Sequence, residues 1–456
     1  MTLGEVARIV SGELICTPGD ESREVGGLST DSRTIRSGEL FVALKGERFD
    51  GHDFVADAAL KGAIGAIVSR EVERPDRFPI VRVADTLKAL GDLAAYKRRL
   101  HEATVIAVTG SAGKTTVKEM IASILSVSHR VLKNEGNLNN LIGLPLTLWR
   151  LSEEHEFAVL ELGTSRFGEI KRLAEISSPR IGVITNIGPA HLEFFGDLDG
   201  VAREKGDLLE FVETAILNVD DPYFERLRDR CRGRVLGFGS RGDVRAEGVE
   251  ARDGRPEFGL ICFGERLGRV RLRLVGLHNV QNALAAACAA LAAGARPEEV
   301  IEGLEKFEGV PMRLQLVELD GIKLLNDAYN SNPRSLRAAI EALMSLDGGR
   351  RVAILGDMLE LGDEEERMHI EAGGILADPR IDLLVTVGKL GRLLGIRRLE
   401  RGMEVVHFGS TEEAAEGISG LLKPGDVVLV KASRGMRFER IIEGLRGCFT
   451  TSSTRS

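Results

Sequence analysis

Thr109-Gly110-Ser111-Ala112-Gly113-Lys114-Thr115-Thr116 follows the apolar run Thr104–Thr109 and opens a helical pattern over residues 117–125. A strand that ends in a glycine turn and passes into a helix belongs to an alternating β/α fold, in which helices cover a mostly parallel sheet. The same residues form an anion cradle. The glycines let backbone N–H groups converge, the helix N-terminus adds positive potential, Lys114 reaches terminal phosphates and Thr115 offers a hydroxyl to Mg²⁺. Only two residues separate Gly110 from Gly113, so the loop is shorter than the general Gly-x-x-x-x-Gly-Lys-Ser/Thr pattern. An isolated Gly-Lys-Thr also fits a glycine turn with a solvated lysine, but the flanking strand and helix favour nucleotide binding.

Further strand-like runs at 158–162 and 181–187 extend this β/α alternation. After a break at Gly309-Val310-Pro311, strands expected at 323–325, Arg351–Leu355, Leu383–Val387 and Val427–Lys431 alternate with helices. They read as a second doubly wound unit, Rossmann-like but without a dinucleotide Gly-x-Gly-x-x-Gly fingerprint. Before the phosphate loop, short strand and helix pieces surround a polar, glycine-bearing segment at 41–54, a kind of loop that commonly carries ligands. The expected fold is α/β in three domains: a mixed α/β substrate domain at 1–100, a central parallel-sheet ATPase domain at 101–310 and a Rossmann-like domain at 311–450. The Ala-rich stretch 283–295 reads as a buried helix, and the polar tail 450–456 as disordered.

Length and composition agree with this division. The chain has 456 residues, 43% hydrophobic and 29% charged, enough for several independent cores. A net charge of -8 with both signs interspersed gives no basic patch, which argues against nucleic acid or an anionic membrane surface as partner. The cysteines Cys16, Cys231, Cys262, Cys288 and Cys448 show no Cys-x-x-Cys spacing and read as free thiols in a reducing compartment. Without a signal pattern or a long apolar run, a cytoplasmic, monomeric enzyme with no membrane span is expected.

Two residues beyond the loop are candidate metal ligands by position. Glu161 ends the strand-like run 158–160, and His191 follows the run 183–187; in a parallel sheet both emerge at the edge that carries the phosphate loop. A carboxylate suits a hard cation, while imidazole is a less usual partner for Mg²⁺. Taken alone, a histidine such as His191 is more often a capping or packing residue than a ligand. Lys205, on spacing alone, reads as a solvated lysine on an amphipathic helix.

Taken together, the phosphate loop, Gly276-Leu277-His278-Asn279-Val280-Gln281-Asn282 and Arg313 after Pro311-Met312 resemble the Mur ligases, ATP-dependent ligases of bacterial cell-wall synthesis, over nearly the whole chain. More specific are Asn137-Leu138-Asn139-Asn140-Leu141-Ile142-Gly143, Asn326-Asp327-Ala328-Tyr329-Asn330-Ser331-Asn332, Gly356-Asp357-Met358-Leu359-Glu360-Leu361-Gly362 and Lys431-Ala432-Ser433-Arg434. These look like the branch that joins D-alanyl-D-alanine to UDP-N-acetylmuramoyl-tripeptide through an acyl phosphate. The alternatives are a sibling that adds the third amino acid and a folylpolyglutamate synthetase-like ligase.

The resemblance implies ATP held by residues 110–116 (Gly110, Ser111, Ala112, Gly113, Lys114, Thr115 and Thr116) with Asn282 at adenine, and Arg313 and Asp327 completing the site. It implies two Mg²⁺ ions on Thr115, Glu161, His191 and a carbamylated Lys205, with Lys114, His191 and Lys205 in catalysis. It also implies Ser32, Arg33, Asp50, His52, Asn137, Asn140, Asn330 and Asn332 as contacts to the UDP-peptide and dipeptide substrates. Gly206, where the family usually has alanine, and Leu162-Gly163-Thr164-Ser165-Arg166, where it has Met-Gly and a polar run, are departures.

Overall fold

A computed structural model describes residues 1–46 and 48–452 of the chain. Its strands form three sheets of five, nine and six strands. The contacts divide the described residues into two compact units: those within 1–109, 129–182 and 207–213 in one, and those within 110–128, 183–206 and 214–452 in the other.

In the first unit, strands Glu13–Ile15, Ile80–Arg82, Gly65–Val68, Glu39–Val42 and Gly27–Ser29 lie side by side in that order, all parallel except the first pair. Successive side chains of a strand point to opposite faces. Leu40, Val42, Ile67 and Val81 therefore pack with Leu3, Val6, Leu90 and Leu93 on one face, while Phe41, Ala43, Ala66, Val68 and Ile80 pack with Val55 and Ala58 on the other. Helix Thr86–Arg99 begins where the Asp85 carboxylate accepts the Leu87 and Lys88 amides at 2.8 and 2.9 Å. An Arg172–Asp92 ion pair at 2.6 Å joins it to helix Glu169–Ser177. Strands Thr104–Thr109, Phe157–Glu161 and Val131–Lys133 also belong here, parallel, with Glu161 opposite Val108. Glu161 thus stands at the C-terminal edge of its strand, as its sequence position implies.

In the second unit, helix Lys114–Leu125 follows the phosphate loop, and the Ala-rich stretch 283–295 lies in helix His278–Ala292 except for its last three residues, buried along most of the helix. Strands Thr214–Asn218 and Arg234–Phe238 are parallel. An antiparallel ribbon of Val244–Arg252, Arg255–Cys262 and Glu265–Arg271 follows, which the β/α reading did not anticipate. Its turns are built on Asp253-Gly254 (φ +46° and +69°) and Phe263-Gly264 (φ +50° and +89°). Positive φ at both central residues gives the tight turn whose twist matches a hairpin.

The six-stranded sheet runs Gln315–Leu319, Ile322–Asp327, Val427–Lys431, Arg351–Leu355, Leu383–Val387, Val405–Phe408, parallel apart from its first hairpin. Three of the four expected strands match their bounds; the two outer strands were not anticipated. Leu325, Ala353, Leu355, Leu384 and Leu429 face one core, and Leu324, Val352, Ile354, Val385 and Val430 the other. Both faces are covered, as a parallel sheet requires. The last helix runs Glu439–Ser452, so the tail read as disordered from residue 450 begins inside a helix, and residues 453–456 lie outside the described residues. Among the described residues no helix is long and apolar enough to cross a membrane.

Candidate nucleotide and ligation site

The phosphate loop is shaped by glycine and braced by one neighbouring segment. Gly110 has φ +145° and Gly113 +81°. A Cβ at Gly110 would overlap the Thr185 hydroxyl, and one at Gly113 would stand 2.5 Å from Asn282 Oδ1, so neither place admits a side chain. Thr185 Oγ1 and Asn186 Nδ2 donate to the Ala112 carbonyl at 2.6 and 2.9 Å, while the Ala112 amide donates to Asn186 Oδ1 at 3.1 Å. Ser111 Oγ donates to the Gly188 carbonyl at 2.8 Å and accepts the Gly188 amide at 2.9 Å. Lys114 Nζ donates to the Gly110 carbonyl at 2.7 Å, which folds the ammonium back over the loop. The first turn of a helix also presents N–H groups that no carbonyl of that helix accepts. Amides, an ammonium and two positions closed to side chains fit a phosphate group.

The other nucleotide candidates lie in the same unit. Asn282 is buried beside Gly113 and donates to Asn279 Oδ1 at 2.9 Å. The Arg313 guanidinium stacks 4.1 Å from the Tyr329 ring, and its Nε is buried with no hydrogen-bond partner among the described residues. Asp327 accepts from buried Lys431 Nζ at 2.6 Å and from the Leu314 amide at 3.1 Å. Lys431 also donates to the Asn330 carbonyl at 2.8 Å, so one buried cation fixes both the carboxylate and the loop after it. Asn332 caps helix Pro333–Ser345 by accepting the Ser335 amide at 2.8 Å.

His191 and Lys205 are placed differently from each other. Lys205, 2% exposed on helix Leu198–Gly206, is not the solvated lysine that spacing alone allowed. His191 has φ +50°, and its Nδ1 stands 3.5 Å from Glu360 Oε2; Glu360 also has positive φ, +66°. Left-handed backbone at a non-glycine residue costs about 1–2 kcal/mol, more than an exposed ion pair commonly returns.

Within the first unit, Glu161 is 3% exposed and orients through asparagines. Asn139 Nδ2 donates to Glu161 Oε1 at 2.8 Å, while Asn134 accepts the Glu161 amide at 2.9 Å and donates to its carbonyl at 3.0 Å. These two braces are absent from the candidates drawn from the sequence, although Asn139 lies between two of them. Asn140 Oδ1 caps the amides of Ile142 and Gly143 at 3.1 and 2.9 Å, and Asn137 is exposed.

At the N-terminal sheet, Asp31 is held at about 2 by the Arg33 side chain and amide, and Arg33 is left open to solvent. The Ser32 carbonyl accepts Lys61 Nζ at 2.9 Å. His52 is 4% exposed, with both ring nitrogens engaged: Nδ1 with Asp50 Oδ1 at 2.5 Å, and Nε2 with the Ser69 amide at 2.9 Å. Burial pushes the Asp50 carboxyl up, but the His52 amide and ring and Arg70 outweigh it and hold the group at about 2. Both ring nitrogens of His52 are thus taken up by Asp50 and Ser69.

Comparison with known proteins agrees with this geometry. The family model described as "Mur ligase family, catalytic domain" matches residues 24–98, "Mur ligase middle domain" 108–290, and "Mur ligase, glutamate ligase domain" 312–434. The UDP-N-acetylmuramoyl-tripeptide–D-alanyl-D-alanine ligase of Bacillus subtilis (strain 168) is 37% identical over 97% of this chain and 98% of its own. A crystal structure of MurF from Acinetobacter baumannii superposes with TM-score 0.90 at 36% identity, covering 98% of both chains. MurF ligase from Thermotoga maritima in complex with ADP does so with TM-score 0.84 at 30% identity, covering 94% of this chain and 99% of that one. By sequence over its whole length and by fold, the chain belongs to the Mur ligase family.

Proposed function

We propose that this chain is an ATP-dependent ligase that joins D-alanyl-D-alanine to the terminal carboxylate of UDP-N-acetylmuramoyl-tripeptide, giving the pentapeptide precursor of peptidoglycan, ADP and phosphate. The observation that carries the reading is its end-to-end similarity to relatives named for that reaction.

A carboxylate is a poor electrophile, so the peptide is first phosphorylated: its carboxylate oxygen attacks the γ-phosphorus of ATP and ADP departs. Lys114 and the amides of residues 110–116 bind the phosphates and offset the charge that builds during transfer. The D-alanyl-D-alanine nitrogen then attacks the acyl carbon, and the tetrahedral adduct collapses with loss of phosphate. Water must be kept from the mixed anhydride, which domain closure would supply. Asn282, Arg313 and Asp327 bind the nucleoside, with Lys431 positioning Asp327.

Mg²⁺, when bound, would supply charge neutralisation to the transferring phosphoryl group. Thr115, Glu161, His191 and a carbamylated Lys205 are its proposed protein ligands. Among the described residues no three His, Cys, Asp or Glu side chains gather into a metal cage. Lys205 is buried, and a carbamate there would exchange a buried cation for oxygen donors.

We assign residues 1–100 to the UDP-sugar, 101–310 to ATP and 311–450 to a Rossmann-like ligase domain that also lends Arg313 and Asp327 to the nucleotide. Ser32 and Arg33 contact the UDP-sugar together with the loop that Asp50 and His52 brace at residues 50–52, and Asn137, Asn140, Asn330 and Asn332 border the peptide substrates. The enzyme acts in the cytoplasm as a monomer. Phosphate release measured with single and paired substrates tests the reading: it should require ATP, the UDP-tripeptide and D-alanyl-D-alanine together. Turnover with lysine or diaminopimelate on a dipeptide acceptor would replace it with the sibling reaction.

A further inference from the structure

The turn at residues 356–362 carries a carboxylate that nothing in the fold accounts for. Its backbone is pinned at several points: the Met358 amide donates to buried His369 Nε2 at 2.9 Å, the Leu359 amide to Ser433 Oγ at 2.8 Å, and Asp357 Oδ1 accepts the Gly391 amide at 2.6 Å. Glu360, at the tip, is held in the left-handed region at φ +66° although it is not glycine. Its side chain is 66% exposed and meets His191, itself at φ +50°, at 3.5 Å. An exposed pair at that distance returns little stability, so it does not by itself account for the left-handed backbone at Glu360.

The position of that contact suggests its use. Ser111 of the phosphate loop ties down Gly188 through both of its backbone polar groups, and His191 lies three residues further on. The Glu360 carboxylate therefore stands beside the segment that frames the phosphoryl end of the nucleotide site. Lys114 and the loop amides make those surroundings positive, which suits an acyl phosphate and opposes an approaching ammonium. An amine whose ordinary pKa is about 8 arrives protonated at neutral pH.

We propose that Glu360 binds the α-ammonium of the incoming dipeptide and holds its nitrogen against the acyl phosphate, so that this carboxylate selects a charged α-amine as the nucleophile. The inference rests on the ligase reading above. After capture, the ammonium sheds one proton to solvent and the nitrogen lone pair forms the C–N bond. The C–O bond to phosphate breaks with its electron pair, and the second proton leaves with the phosphate.

Hydroxylamine provides the test, because at neutral pH it is an uncharged nucleophile that traps an acyl phosphate as a hydroxamate without an ammonium to be recognised. Wild-type and Glu360→Gln enzymes are given ATP, Mg²⁺ and UDP-tripeptide with D-alanyl-D-alanine and hydroxylamine in competition, and amide and hydroxamate are quantified. The substitution is expected to lower the amide-to-hydroxamate ratio at least about tenfold and to raise the KM for the dipeptide by a similar factor, as loss of a charged contact would. Glu360→Gly, which removes the strain together with the carboxylate, should show the same ratio change with no fall in melting temperature. An unchanged ratio in both variants, or amide and hydroxamate falling in parallel, overturns the proposal. A wild-type enzyme that forms hydroxamate but no amide from D-alanyl-D-alanine overturns the ligase reading first, and this inference with it.

Discussion

Two polar, glycine-bearing loops in this chain look alike in sequence and are built to opposite ends. In the phosphate loop, Thr185, Asn186 and Ser111 occupy the backbone from behind, and glycines stand where a side chain would fill the cradle. In the Asp50–His52 loop the polar atoms turn on one another: Asp50, His52 and Ser69 form a closed chain, and the imidazole is buried. The first loop is braced so that its surface stays available; the second is itself the brace. Where the hydrogen bonds of a segment go separates the two cases better than composition does.

That contrast is sharpest under mutation of the loop cation. Lys114→Ala should cut turnover by roughly 10²–10³-fold or more, as loss of a preorganised charge at a transferring group does, with the melting temperature nearly unchanged. Steady-state kinetics beside a thermal melt checks both halves, and a variant with wild-type turnover breaks the phosphate-loop assignment. Lys205→Ala should cost at least about tenfold, the scale of a damaged metal environment, and added acetate or formate should restore part of the rate by filling the vacated space. A solvated lysine would predict almost no change.

The smallest catalytic effect is expected at His52. His52→Ala strips partners from the Asp50 carboxylate and the Ser69 amide, so it should destabilise its sheet by about 2 kcal/mol, read as a lower urea midpoint, while kcat of the folded enzyme changes less than tenfold. If His52→Ala instead abolished turnover at unchanged stability, the closed-loop description would be wrong and His52 would belong with the substrate.

What could be read in the sequence followed how local the physics is. The phosphate loop and the inner strands of the C-terminal sheet were legible because a glycine turn between strand and helix, and strands buried on both faces, leave continuous marks in the chain. The ribbon 244–271 carries a mark too, the hairpin dipeptide Asp253-Gly254, set within a stretch whose neighbours alternate β and α. Lys205 was misleading, since Leu198–Gly206 spells a polar helix and only tertiary packing buries it. The Asn134 and Asn139 braces on Glu161, the Lys431–Asp327 pair and the meeting of Glu360 with His191 join residues far apart in sequence, and no spacing rule in a single chain announces them.

The most direct test of the account is the mass of the nucleotide product. Incubated with ATP, Mg²⁺, UDP-N-acetylmuramoyl-tripeptide and D-alanyl-D-alanine, the enzyme should convert the tripeptide species to one heavier by the dipeptide less one water, with one ADP formed per product. An unchanged tripeptide mass under those conditions, or the same gain in mass without ATP, would contradict the account.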